Sequence, residues 1–293
     1  MSRKTREAFE GYVYIIPSFI ILLIFYIIPI FMSGYYSFTS YSLVKAPRFV
    51  GLRNYMKMLT DSYVLAAIKN TFIYTLVTVP FQTILALLFA AFLAMRFRNW
   101  FGEMIRSAMF IPVIASAVAC GAVWAVLMDT DNGLLNFILH FFGAKGINWL
   151  GSSQYALISI CIVAIWKNVG YFLVIYYAGI MGISRDLFEA AEIDGASKWQ
   201  EFRLITIPML KPVTYLIVTL GIIWSFQVFD LSYVMTGGGP GKSTVTLVMD
   251  IYNQAFKGNG KMGYASAIAM VLLLFIVIVN LIENRFFKPK EEV

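Results

Sequence analysis

Residues 237–244 read Gly-Gly-Gly-Pro-Gly-Lys-Ser-Thr, and Gly241-Lys242-Ser243 has the ending of a phosphate-binding loop. Such a loop needs a glycine five positions before Gly241. Thr236 stands there, and an apolar run precedes the stretch, so a glycine-rich turn is the better reading. Other reactive chemistry is scarce. His140 is the only histidine, which leaves almost no material for a His-based metal site or triad. Cys120 and Cys161 both lie in apolar runs and read as small buried hydrophobes, giving no sign of a disulfide or a metal site. No nucleophile and base stand at a catalytic spacing. What remains is binding chemistry, aromatic faces that stack and amide, hydroxyl and carboxylate groups that hydrogen-bond. Two stretches offer it: Trp166-Lys167-Asn168 with Tyr171, and Trp224-Ser225-Phe226-Gln227 with Asp230. The same residues have a structural reading. Trp and Tyr anchor helices at membrane interfaces, Ser and Gln bridge neighbouring helices, and Lys167 and Asp230 suit an ion pair.

The elements that position these residues follow from composition. Of 293 residues, 60% are hydrophobic and only 13% charged, about half the usual soluble fraction of roughly 25%. That excludes a disordered chain, a small disulfide scaffold and an ordinary soluble enzyme, and leaves an all-α polytopic membrane protein. A spanning helix needs about 20 mostly apolar residues. Six stretches qualify: Tyr12–Tyr35, Ile68–Met95, Ser107–Met128, Tyr155–Met181, Pro212–Met235 and Gly263–Asn284. The first follows a basic leader, Arg3, Lys4 and Arg6, but is too long for a cleaved signal and lacks a small-residue cleavage site. Six spans place both termini on one side. With that side cytoplasmic, the inner segments hold 13 of the 23 basic residues, among them Arg96, Arg98, Arg106, Arg185, Lys198, Arg203, Lys211, Arg285, Lys288 and Lys290. The positive-inside rule favours this orientation, and the net charge of +7 reads as loop bias rather than a nucleic-acid surface. The two aromatic stretches then fall in the outer halves of the fourth and fifth spans.

The longest inner segment, 182–211, predicts a short amphipathic helix. Ser184 suits an N-cap and Asp186 the first turn. Leu187, Phe188 and Ala191 share one face, and Gly195 suits a stop. Trp199, Phe202 and Ile205 suggest a second helix, with Pro208 and Pro212 marking re-entry into the membrane. Residues 185–203 carry Asp186, Glu189, Glu192, Asp194 and Glu201 against Arg185, Lys198 and Arg203. A helix lying on lipid headgroups is usually rich in Lys and Arg. An acidic-leaning helix better suits a groove on a partner protein.

Glu189-Ala190-Ala191, Gly195, and Ile205-Thr206-Ile207-Pro208 resemble the EAA loop of binding-protein-dependent ABC importer permeases. The spacing fits throughout, with Ile207 where leucine is usual, and Asp194 and Ala196 fit the extended motif. Asn70-Thr71, Gly237-Gly238-Gly239-Pro240 and Gly263-Tyr264-Ala265-Ser266-Ala267 resemble the carbohydrate branch, which includes maltose-type and glycerol-3-phosphate-type permeases.

The resemblance implies a type I ABC importer permease core with six transmembrane helices in a bacterial or archaeal plasma membrane. It implies a second homologous permease, two ATPase subunits that bind ATP and Mg, an external solute-binding protein and a carbohydrate substrate. No cofactor or metal is expected in this chain, and no nucleic acid as partner. Glu189, Ala190, Ala191, Asp194, Gly195 and Pro208 would couple the chain to an ATPase, and the two aromatic stretches would line the substrate pathway. The expected organisation is residues 1–66 as N-terminus, first span and external loop, 67–285 as transport domain with the coupling loop 182–211, and 286–293 as cytoplasmic tail. The alternatives are a self-sufficient secondary transporter or channel, weakened by few intramembrane carboxylates, and a membrane enzyme, for which no reactive constellation is present.

Overall fold

The computed structural model describes residues 3–97, 99–257 and 260–287. Arg98, Lys288 and Lys290 of the expected inner basic set lie outside the described residues, as do the side chains of Arg3, Lys4 and Arg6 and the tail after Phe287. Among the described residues the chain is helical, apart from turns and one isolated antiparallel bridge between Thr39 and Phe49. Helix α1 (Arg3–Leu22) runs through a π-helical turn, Leu23–Ile27, into α2 (Ile28–Ser37). Then come α3 (Arg53–Met58), α4 (Ser62–Arg96), α5 (Trp100–Ile114), α6 (Ala117–Leu127), α7 (Leu134–Phe141) and α8 (Ala156–Met181). Next are α9 (Arg185–Ile193) and α10 (Lys198–Glu201), which continues through a second π-helical turn, Phe202–Thr206, into α11 (Ile207–Met209). The chain ends with α12 (Lys211–Phe226), α13 (Asp230–Thr236), α14 (Leu247–Phe256) and α15 (Met262–Phe287).

Four helices are long and apolar enough to cross a membrane unbroken: Tyr12–Ser37, Ser62–Arg96, Ala156–Met181 and Met262–Arg285. Two further spans are bent pairs, so the described residues hold up to six spans when each pair is counted as one. In the expected third span, α5 and α6 meet at 97°. Pro112 sits in the last turn of α5, where its ring removes a donor, and Ala115 leaves the helix in an extended conformation. Just before the expected fifth span, α11 and α12 meet at 65°, and Pro212 starts α12 afresh where the sequence placed re-entry into the membrane. The run expected as Pro212–Met235 also stops at Phe226 and restarts at Asp230, whose carboxylate suits the first turn of α13. The hydroxyl of Thr246 takes the carbonyl of Val228 exposed by that break, at 2.8 Å.

The chain divides into two compact units, residues 1–61 with 251–273 and residues 62–250 with 274–293. In the first unit, none of the apolar window of the first span is buried. The turn after it is fastened by side chains. Asn54 Nδ2 donates to the carbonyls of Ser37 and Thr39 at 2.8 and 2.9 Å, and Tyr55 donates to Ser37 Oγ at 2.7 Å. Tyr264 donates to Asp61 at 2.9 Å, and Lys57 lies 3.9 Å from the Tyr264 ring centre. Gly263 lies against the backbone of Thr39, where a Cβ would stand 2.1 Å from the Thr39 carbonyl oxygen.

The second unit is built on α4 and α8. At about 1.5 Å per residue α4 is about 52 Å long, against about 30 Å for the hydrocarbon core, so its ends project. Ala86, Ala90 and Ala94 recur every four residues on α4 and are fully buried. They admit Phe172, Leu173 and Tyr176 of α8 into one core cluster, the small-against-large packing by which membrane helices associate. Gly170 brings α8 onto the backbone of α5 at Met109. Thr219 on α12 donates to Glu283 on α15 at 2.9 Å.

Candidate functional site

The segment 182–211 forms as its caps dictate. Ser184 Oγ accepts from Asp186 N at 3.3 Å and starts α9. Gly195, at φ +76°, ends it, and Ala196 N donates to the Ala191 carbonyl at 2.9 Å. Ser197 and Gln200 then form a reciprocal capping box that starts α10. No residue of α9 is buried. Phe188 and Ala191 lean inward, but Leu187 does not share their shelter: it is exposed, and Ile193 is 87% exposed. Glu189, Ala190, Asp194, Gly195 and Pro208 all face outward. Of the expected second helix, Phe202 is buried and Trp199 exposed.

A cavity of about 410 Å³ lies between this segment and the end of α4. Ala91, Ala94 and Met95 line it from α4, and Arg185, Phe188, Glu189 and Glu192 from α9. Lys198 pairs with Glu192 and with Glu201, the latter at 2.9 Å. Glu201 is only 4% exposed. The lysine therefore ties α9 to α10, and the two helices form one bracket.

The aromatic stretches are placed as follows. Trp166 is exposed and meets Trp124 of α6 edge to face, ring centres 5.3 Å apart. It also borders an apolar groove of about 450 Å³ with Met104, Met109 and Pro112. Lys167 does not use its charge on Asp230. Its ammonium donates to the carbonyls of Pro112, Val113 and Ala115 at 3.1, 3.1 and 2.9 Å, closing the open end of α5 at the 97° bend. Asn168 is half-buried. Tyr171 meets Trp224 at 5.1 Å between ring centres, so α8 and α12 bring those two together. Ser225 is buried and its hydroxyl lies 3.1 Å from that of Thr78 on α4. Gln227 and Asp230 are exposed, on either side of the break between α12 and α13.

The glycine-rich turn is spent on its own chain. Gly237 and Gly238 adopt φ of +62° and +92°, and a side chain at Gly238 would strike Met249 and Val245 at 2.9 Å. Thr244 donates to the Gly239 carbonyl at 2.8 Å. Lys242 Nζ donates to Ser62 Oγ at 2.6 Å. These groups form a knot, not a phosphate cradle.

Sequence reasoning read Asn70 and Thr71 only as a motif and did not use the polar residues farther along α4. Asn70 Nδ2 holds the carbonyls of Lys242 and Val245 at 2.7 and 3.0 Å, and Thr71 accepts from Leu247 N at 3.0 Å. Thr75, Thr78, Gln82 and Thr83 follow on the same helix and are all buried. The signal was a spacing of three to four between polar residues within an apolar run.

Comparison with known proteins identifies relatives along nearly the whole chain. Residues 63–289 match the family described as binding-protein-dependent transport system inner membrane component. The trehalose/maltose transport system permease protein MalF of Thermococcus litoralis is 35% identical over 97% of this chain and 96% of its own. The arabinooligosaccharides transport system permease protein AraP of Bacillus subtilis is 34% identical over 92% of this chain and 86% of its own. A chain in the crystal structure of a bacterial alginate ABC transporter, in complex with an alginate pentasaccharide-bound periplasmic protein, has the same fold. It superimposes with a TM-score of 0.85 at 20% identity, over 97% of this chain and 95% of that one.

Proposed function

Since the chain belongs to the family of binding-protein-dependent transport system inner membrane components, we propose that it is the membrane-spanning permease subunit of an ATP-driven importer for a carbohydrate. The observation that carries the reading is α9. It bears Glu189-Ala190-Ala191, stops at Gly195 in a left-handed conformation, and has no buried residue of its own. Such a helix is preformed yet unsheltered, which suits insertion into a groove of a partner. We assign that partner as an ATPase subunit. The chain would work with a second homologous permease, two such ATPases and an external binding protein, and both termini would lie in the cytoplasm. ATP and Mg would bind to the ATPases.

Transport follows from alternating access. Closure of the ATPases on ATP moves α9, and the Lys198 link passes that motion through α10 and α11 to α12. A sugar released by the binding protein then travels between α8 and α12, past Trp166, Asn168, Tyr171, Trp224, Ser225 and Gln227. Lys167 and Asp230 border the route, with Lys167 shaping it by closing the α5 bend. Polar side chains at this depth are costly against lipid and favourable in a wet cavity.

The test is uptake by the assembled complex in proteoliposomes. Radiolabelled trehalose, maltose and arabinotriose form the panel, chosen from the substrates named for the relatives above. ATP-dependent accumulation of at least one supports the reading. ATP hydrolysis without accumulation of any sugar in the panel argues against it.

A further inference from the structure

The face that α4 turns to α12 carries a polar seam at mid-membrane depth. Gln82 lies near the centre of the apolar stretch Ile68–Met95 and is 2% exposed. One turn before it, the hydroxyls of Thr78 and Ser225 meet at 3.1 Å. Thr78 also donates to the Tyr74 carbonyl at 2.7 Å. A hydroxyl has one proton, so Ser225 is the donor in the pair. Gly221 stands opposite Gln82, and a Cβ there would lie 2.8 Å from Gln82 Nε2. Glycine at 221 is therefore what admits the amide. Gln82 Oε1 and Thr83 Oγ1 are buried without a hydrogen-bond partner among the described residues.

Packing alone does not call for an amide here. A buried acceptor left unpaired is destabilising, whereas an apolar side chain of the same shape would fill the space without that cost. Groups of this kind call for a specific explanation. The surroundings narrow it: Thr78, Gln82 and Ser225 are all uncharged, so the seam suits a neutral donor rather than an anion or a cation. Discontinuous helices near the membrane midplane are where transporters place substrate sites, and α12 ends at Phe226, one residue after Ser225.

We propose that Gln82 Oε1 is a sugar subsite, accepting a hydrogen bond from a hydroxyl of the translocated carbohydrate when α4 and α12 part. Thr78 and Ser225, released from each other, offer hydroxyls to the same ligand. The inference rests on the carbohydrate reading above and adds a third wall, α4, to a route otherwise drawn between α8 and α12.

The test uses the complete reconstituted complex and the member of the panel that wild type takes up fastest, and reads sugar transported per ATP hydrolysed. Gln82→Leu keeps the volume and removes the acceptor, and should lower that ratio roughly five- to tenfold, the size of one lost hydrogen bond to a buried group. Gly221→Ala, which displaces the amide, should lower it in the same direction and keeps the test open if Gln82→Leu fails to assemble. Thr75→Val, whose hydroxyl bonds back to the Thr71 carbonyl at 2.9 Å, should leave the ratio unmoved. A purely structural role would reduce uptake and hydrolysis together and leave the ratio at the wild-type value. That result overturns the proposal, as does unchanged uptake. A wild-type complex that takes up no sugar of the panel overturns the carbohydrate reading and this subsite with it.

Discussion

The ammonium of Lys167 lies 2.9 Å from the carbonyl oxygen of Ala115, and that contact explains how a charged residue is kept within an apolar helix. Ala115 is where α5 stops before the chain turns through 97° into α6. The last carbonyls of α5 have no helical partner, and the partial negative charge at a helix C-terminus favours a cation. A residue that read as a contact for substrate or an ion-pair partner for Asp230 is thus also the fastener of a broken span.

Lys167→Met should therefore cost stability. Hydrogen bonds to a charged group are worth about 1.5–3 kcal/mol, and their loss would leave three carbonyls without that donor. The thermal midpoint of the purified protein should fall by several degrees, and Lys167→Arg should recover part of the loss. An unchanged midpoint for Lys167→Met would show that the contact carries no stability.

Tyr171 and Trp224 meet across α8 and α12. Alanine at either should weaken sugar uptake several-fold, since a stacking face is worth about 0.5–1.5 kcal/mol and a factor of ten is about 1.4 kcal/mol. The pair should do more damage than either alone. Uptake measured against expression level decides: full uptake by the double variant removes both from the route.

The orientation is open to labelling. Ser40, Ser153 and Ser197 are all exposed. In a background lacking Cys120 and Cys161, a cysteine at 40 or 153 should react with an impermeant thiol reagent added to intact cells. A cysteine at 197 should react only after the cells are broken. Reaction at 197 from outside would invert the topology.

Much of this architecture was legible in residues. The EAA segment was readable in detail because its signals are local: Ser184 and Ser197 cap, Gly195 stops, and each acts within a turn of itself. The apolar runs gave the spans for the same reason. The breaks were only partly legible. Pro208 and Pro212 marked the re-entry where the 65° bend lies, but membrane helices tolerate proline, so Pro112 did not distinguish a kink from a bend of 97°. The fastening role of Lys167 was hidden because its acceptors are backbone carbonyls more than 50 positions away, and carbonyls leave no mark in a sequence. The seam on α4 was hidden because threonine is ordinary in a span. Only the placement of Gly221 against Gln82 and of Ser225 against Thr78 gives that row a partner.

Docking of α9 on an ATPase subunit is open to site-specific crosslinking at Ile193. That side chain is 87% exposed at the end of the helix, so a photoreactive amino acid there should sit inside the partner's groove without disturbing the chain's own packing. With the complex assembled in membranes and irradiated, an adduct of this chain with the ATPase subunit should form, and should be lost when Glu189→Lys is added. A photoreactive residue at Phe49 should give no such adduct. An assembled, ATP-hydrolysing complex that yields no ATPase adduct from position 193 would mean that α9 does not dock on the ATPase.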